Sequence, residues 1–170
     1  MRIRTFILIA CALIVALSAC EKTATCTISG SDQNTYTQTD VNGTTIGAPD
    51  AKDWTNDNNW TACENDLFNF TDSMNYQGLT STTVQVVPAY PNPFISTVDF
   101  VALDTGTNVV KLVVVDNSLN VIAHTTLSNI RAEALQPPGL DTNAHYRIYY
   151  RFYGNNKSVI YQGHGDLRNK

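Results

Sequence analysis

The stretch Val109-Val110-Lys111-Leu112-Val113-Val114-Val115, followed by Asp116-Asn117-Ser118-Leu119-Asn120 and then Val121-Ile122-Ala123-His124-Thr125-Thr126-Leu127, decides the fold class. Six of the first seven residues are Val or Leu, too short a run for a buried helix and rich in β-branched side chains, so it reads as a central strand. The Asp, Asn and Ser that follow supply turn chemistry. Residues 121–127 run back, giving a hairpin with a five-residue loop.

Strand patterns extend to both sides. Residues 83–87 and 97–103 alternate, separated by Pro88 and Pro91-Asn92-Pro93, which forbid a continuous central ladder. Downstream, Pro137-Pro138-Gly139 breaks the chain. Residues 146–153 then form an aromatic strand with Tyr146, Ile148, Tyr150 and Phe152 on one face, and Gly154-Asn155-Asn156-Lys157 turns it into a last strand over 158–162. Six or seven short strands between turns predict a mainly β protein, an antiparallel β-sandwich over 83–170.

The whole chain has 170 residues, 43% hydrophobic and 15% charged, enough for one globular domain and too ordered in composition for a disordered chain. A net charge of −4 and a pI near 5.2 argue against nucleic acid as a partner, because phosphate neutralisation needs a cationic surface. The charge is uneven. Residues 26–83 hold eight acidic residues and one basic residue, Lys52, whereas 84–170 hold six acidic and seven basic.

The first twenty residues read as an address. Arg2 and Arg4 precede an apolar run over 6–17, which is shorter than the roughly 20 residues a membrane span requires and has the flanks of a secretory signal peptide over 1–19. Leu17-Ser18-Ala19-Cys20 resembles the lipobox of bacterial lipoproteins. The resemblance implies cleavage before Cys20, acylation of its thiol, and a chain tethered to a membrane without spanning it. The expected location is the outer membrane, facing the periplasm, with surface display the alternative. An ordinary signal peptide that happens to contain a cysteine is the competing reading.

Without Cys11 and Cys20, the remaining cysteines are Cys26 and Cys63. In an oxidising compartment they have one intramolecular pairing, closing a loop of about 38 residues; the alternative is two free thiols. Residues 20–50 are poor in aliphatic side chains and read as a polar tether or a peripheral hairpin around Val41-Asn42-Gly43-Thr44. Residues 51–82 read as polar loops and one short helix packing on the domain. Thr61-Ala62-Cys63-Glu64 fits the capping box and predicts about two helical turns. Asp50, Asp53 and Asp57 match a calcium loop only in part, since the alternating ligand frame and its Gly are missing, and no metal or other cofactor is expected. Trp54, Trp60, Tyr149 and Tyr153 are the candidate ring surfaces for a glycan or a partner, with burial in the core as the alternative for the tryptophans.

Tyr90-Pro91-Asn92-Pro93-Phe94, then Ser96-Thr97-Val98-Asp99-Phe100 and the strand ending at Asp116, resembles the Y-P-N-P-F pattern of immunoglobulin-like C-terminal domains of Bacteroidota proteins, including type A sorting domains of type IX secretion. The resemblance covers about the last 80 residues. It implies an immunoglobulin-like sandwich in which the Asn92 turn aims Phe94 inward. A secretion role is not carried over, because no cargo precedes the domain and the leader is of the lipidated kind.

No nucleophile elbow, zinc-binding helix motif or phosphate loop is present. His164-Gly165-Asp166 sets an imidazole near a carboxylate. Three functions follow as expectations. The first is a non-enzymatic, lipid-anchored interaction or accessory module of an outer-membrane assembly, with envelope proteins or glycans as partners. The alternatives are a glycan-binding or adhesive module and a small hydrolase using His164 and Asp166.

Overall fold

The computed structural model describes residues 26–28, 35–104, 106–137 and 140–170; the leader and Cys20 lie outside the described residues. One short helix, α1 (Ala62–Asp66), precedes seven strands: β1 (Val84–Tyr90), β2 (Val98–Asp104), β3 (Val109–Val115), β4 (Val121–Ser128), β5 (Ala132–Leu135), β6 (His145–Tyr153) and β7 (Val159–Arg168). They form two antiparallel sheets, ordered β1-β2-β5 and β4-β3-β6-β7. Labelled A, B, C, C′, E, F and G in chain order, these are the A-B-E and C′-C-F-G halves of an immunoglobulin-like sandwich. Tyr146, near the start of β6, accepts a hydrogen bond on its hydroxyl from the Asp141 backbone N–H at 2.7 Å, the tie that anchors strand F in this architecture.

The expected hairpin is present, β3 against β4 with Leu112 opposite Thr125, and β3 is buried along its whole length between β4 and β6. Pro88 lies within β1, where the register shifts between Val87 and Tyr90, so the missing N–H falls at an irregularity of a sheet-edge strand. Phe94 is 1% exposed and its backbone pairs with the end of β7, accepting from Lys170 and donating to Arg168. Between the sheets lie Val98, Phe100, Val110, Leu112, Ile148, Tyr150, Phe152 and Leu167. Each is an alternate residue of its strand, as the two-residue period requires.

β7 runs to Arg168, six residues beyond the sequence-based expectation, pairing with β6 through His145 opposite Arg168. Gly163 and Gly165 hide this strand from a propensity reading, since glycine weakens strands. Their role is steric. A side chain on Gly165 would collide with the Trp54 ring, and one on Gly163 with the Thr55 carbonyl and the Tyr150 hydroxyl.

Trp54 comes from the segment that crosses the free edge of β7. The Trp54 N–H donates to the His164 carbonyl at 2.7 Å, Asp57 N–H donates to the Gln162 carbonyl at 2.9 Å, and Asp53 accepts from Asp166 N–H at 3.0 Å. The Trp54 ring enters the sandwich, stacked on Tyr150 at 6.2 Å and tilted against Phe100 at 6.5 Å. Its φ of 60° is unusual for an aromatic residue and is held by these contacts. A few residues on, the chain reaches the opposite face of the same sheet. There Trp60, Phe68, Val113, Val115 and Tyr149 build a second, smaller core with Ile28.

Residues 35–50 take the hairpin form of the two readings. Asp40 accepts from the N–H groups of Asn42 and Thr44, closing the turn, and Thr39 exchanges backbone hydrogen bonds with Asn92. Polarity here did not mean detachment: Thr37 and Thr39 are buried because their hydrogen bonds go to the domain, Thr39 donating its hydroxyl to the Ala89 carbonyl. The helix is shorter than expected, five residues, but its capping box is complete, Thr61 Oγ1 accepting from Glu64 N–H and the Glu64 carboxylate accepting from Thr61 N–H.

Gly165→Ala is expected to push the Trp54 ring out of the sandwich and to cost about 1–3 kcal/mol. Urea unfolding, with Trp54 fluorescence read in a Trp60→Phe background, checks this: a red-shifted native spectrum together with a lower midpoint is the expected result.

Candidate functional site

The residues that carry chemistry gather where the crossing segment meets the outer face of β6 and β7. Strand alternation sends Arg147, Tyr149 and Arg151 of β6 and Gln162, His164 and Asp166 of β7 to this face. The register then sets them side by side, Arg147 opposite Asp166 and Tyr149 opposite His164. The crossing segment and α1 add Asp53, Asp57 and Glu64.

Arg147 and Asp166 form a bidentate ion pair, Nε to Oδ1 at 2.6 Å and Nη2 to Oδ2 at 2.7 Å, with both side chains almost wholly buried. Such a fork is the strong form of this interaction, and removing either partner leaves a buried charge behind. Asp53 lies next to Asp166 and accepts from the N–H groups of Thr37 and Asp166. Burial and the neighbouring Asp166 charge push its carboxyl up to about 7, against the pull of those two N–H donors. Asn92 completes the junction. Its amide donates to the carbonyls of Thr37 and Asp166 and its Oδ1 accepts from Arg168 N–H, so one wholly buried side chain joins the hairpin, the Y-P-N-P-F turn and β7.

His164 is 7% exposed, and neither ring nitrogen has a hydrogen-bond partner. Burial, reinforced by the nearby Arg147 charge, lowers its pKa and favours the neutral ring; Asp57 Oδ2 lies 3.7 Å from Nδ1. Tyr149 donates its hydroxyl to Glu64 at 2.8 Å, and burial raises its pKa. The expected pairing of His164 with Asp166 does not form, because both carboxylate oxygens of Asp166 are taken by Arg147. His164 and Asp166 are therefore not hydrogen-bonded to each other in this structure.

The four candidate ring residues are buried in the structure. Trp54, Trp60, Tyr149 and Tyr153 are 5%, 9%, 0% and 5% exposed. Trp54 fills the sandwich. Trp60 stacks on Phe68 at 5.2 Å and meets Tyr149 edge-on at 5.4 Å, with the Arg151 guanidinium 4.7 Å from its ring. Tyr153 meets Tyr76 edge-on. None offers a free face for stacking on a sugar, because each covers an apolar strand face that would otherwise meet water.

Cys26 and Cys63 are joined by a disulfide, Cα to Cα 6.0 Å, which fastens the start of the described chain to α1. On the chain-entropy account such a loop is worth about 3–4 kcal/mol. The three aspartates of the partial calcium-loop match have separate contacts: Asp50 accepts from Lys52 N–H, Asp57 from Asn59 N–H, and Asp53 belongs to the junction above. Among the described residues no three His, Cys, Asp or Glu side chains converge as metal ligands. The pairing of Lys111 with Asp72 has no local signal in the sequence. Lys111, on β3 and 2% exposed, pairs with Asp72 at 2.9 Å, donates to the Phe70 carbonyl at 2.7 Å and lies 4.3 Å from the Phe70 ring centre, pinning the cover over β3.

Two outcomes test this arrangement. The raised Asp53 pKa means the folded state holds its proton more tightly than the unfolded chain, so this group's contribution to stability is present below about pH 4 and is lost as pH rises through about 7. The stability of Asp53→Asn relative to wild type should accordingly shift in the variant's favour, by about 2 kcal/mol or more between pH 4 and pH 8, in paired urea titrations. Replacing both Cys26 and Cys63 by Ser should lower stability by about 3 kcal/mol, with wild type in reductant falling to the same value.

Comparison of the chain with protein-family models, with curated proteins and with solved structures finds no match to any of them.

Proposed function

We propose that this chain is a lipid-anchored envelope lipoprotein: a non-enzymatic interaction or accessory module of an outer-membrane assembly, held to the membrane through acyl chains on Cys20. The observation that carries the reading is the position of the disulfide relative to the lipobox-like Leu17-Ser18-Ala19-Cys20. A Cys26–Cys63 bridge belongs to an oxidising, exported setting. It also begins only six residues after Cys20, and six residues reach at most about 20 Å. An acylated Cys20 would keep the α1 side of the sandwich close to the lipid surface, anchored by two or more chains rather than one.

The non-enzymatic part is supported by how the chemistry-bearing side chains are used. Arg147, Asp166, Asp53, Asn92, Lys111 and Asp72 all close internal contacts between the cover and the sandwich. Among the described residues no helix is long and apolar enough to cross a membrane; in this reading the anchor is the lipid on Cys20.

Metabolic labelling with radioactive palmitate in a host that processes lipoproteins tests the anchor. Wild type should take up label and fractionate with the membrane, and Cys20→Ser should lose both. Equal labelling of the two, or a mature N-terminus at a residue other than Cys20, would overturn the proposal.

A further inference from the structure

The two sides of the sandwich are finished differently. On one side the crossing segment pairs with β7 and the hairpin buttresses the end of β1. On the other, β4 pairs with β3 alone and β5 with β2 alone. β5 is only four residues long and carries Glu133, two of the usual protections of a free edge. β4 is eight residues long, Val121–Ser128, without Pro, Lys, Arg, Asp or Glu, and its one register shift falls at its start. Among the described residues it is the longest strand edge left without cover.

A cleft flanks this edge on each side. Toward the other sheet, a cavity of about 210 Å³ opens between β4 and β5, lined by Leu112, Val114, Ala123, Leu135 and Glu133. On the outer side, between β4 and the segment after α1, Leu67, Phe70, Val121, His124 and Asp66 line a second cleft. Val121 is 48% exposed. A strand added to β4 would continue the sheet through its backbone and send alternate side chains into the two clefts, the geometry of recognition by strand addition. The charged groups lining the clefts are the carboxylates of Glu133 and Asp66, with no Lys or Arg among the lining residues. Complementarity therefore selects a basic occupant, and a second copy would bring the same carboxylates with it.

We infer that β4 is a docking edge for an extended segment of another protein, with apolar residues at alternate positions and Lys or Arg on its flanks. This deepens the interaction reading of the chain and is independent of acylation at Cys20.

The test uses the detergent-solubilised full chain with its disulfide formed. The probes are an eight-residue peptide of alternating Val and Thr with two Lys at each end and its twin with Asp in place of Lys. The Lys peptide should slow amide exchange in β4 at least tenfold and bind at least tenfold more tightly than the Asp peptide by fluorescence anisotropy. Asp66→Lys at an exposed position, combined with Glu133→Lys at a half-buried position lining the inner cleft, should invert the preference. Protection elsewhere with β4 unchanged overturns the inference, as does equal binding of the two peptides. Concentration-dependent dimerisation that protects β4 without peptide also overturns it, in favour of a second copy. Loss of palmitate labelling with β4 docking intact would remove the anchor alone, and the converse would remove the docking edge alone.

Discussion

The passage of residues 53–57 along the edge of β7 is the constraint on which the rest of the structure depends. An immunoglobulin-like sandwich has open strand edges, and an open edge is both a solvation problem and an invitation to aggregate. Here one edge is closed by the chain's own upstream segment, through the N–H groups of Trp54 and Asp57 and the carboxylate of Asp53. The crossing has two consequences for packing. It delivers Trp54 to the inner face of the sheet and Trp60 to the outer face, so that one excursion of the chain supplies an anchor for each of the two cores. Gly163 and Gly165 are the matching concession on β7: they give up strand propensity to make room for an aromatic ring and a carbonyl.

The polar contacts follow from that geometry. Covering a sheet face that carries Arg147, Lys111, His164 and Asp166 removes them from water, and a buried charge is tolerated only with a partner. Arg147 takes Asp166, and Lys111 takes Asp72. Asp53 is buried beside an existing carboxylate, and its burial first, then that charge, make it hold its proton. His164 is left without a hydrogen-bond partner on either nitrogen, and its burial favours the neutral ring. The acidic excess of the early chain thus has a structural use: several of its carboxylates, among them Asp53, Glu64 and Asp72, fasten the cover to the domain.

Much of the sandwich was legible because its signals are local. The β3 to β4 hairpin, the aromatic strand β6 and the inward Phe94 all follow from alternation and turn residues, and the capping box at Thr61 and Glu64 needs four residues to recognise. The single intramolecular pairing of Cys26 with Cys63 follows from counting. What escaped was the result of contacts distant in sequence. The end of β7 reads as a loop until Trp54 is known to lie on Gly165, more than a hundred residues away. Trp54, Trp60, Tyr149 and Tyr153 look like a ligand surface until the cover is seen to bury them. The His164 and Asp166 spacing was visible, and in a strand it does put both on one face. Only the register with β6 reveals that Arg147, rather than His164, meets Asp166.

The asymmetry of the edges carries the argument one step further. A chain that needed only to prevent edge pairing would be expected to protect β4 as well, where a single Lys or Pro would suffice. Instead, the cover crosses the β7 edge, reaches the outer face of β3 through Lys111 and Asp72, and ends on the face of β4, where Phe70 rests against His124 at 4.3 Å, without pairing with that strand's free edge. The cover thereby forms one wall of the outer cleft, and the open gap to β5 forms the other cleft. The same segment that closes one side of the sandwich leaves the other side shaped. The α1 end of that segment is fixed by the disulfide, so the uncovered edge is held in a constant relation to the start of the described chain. That relation is what an interaction module needs in order to meet a partner in one orientation.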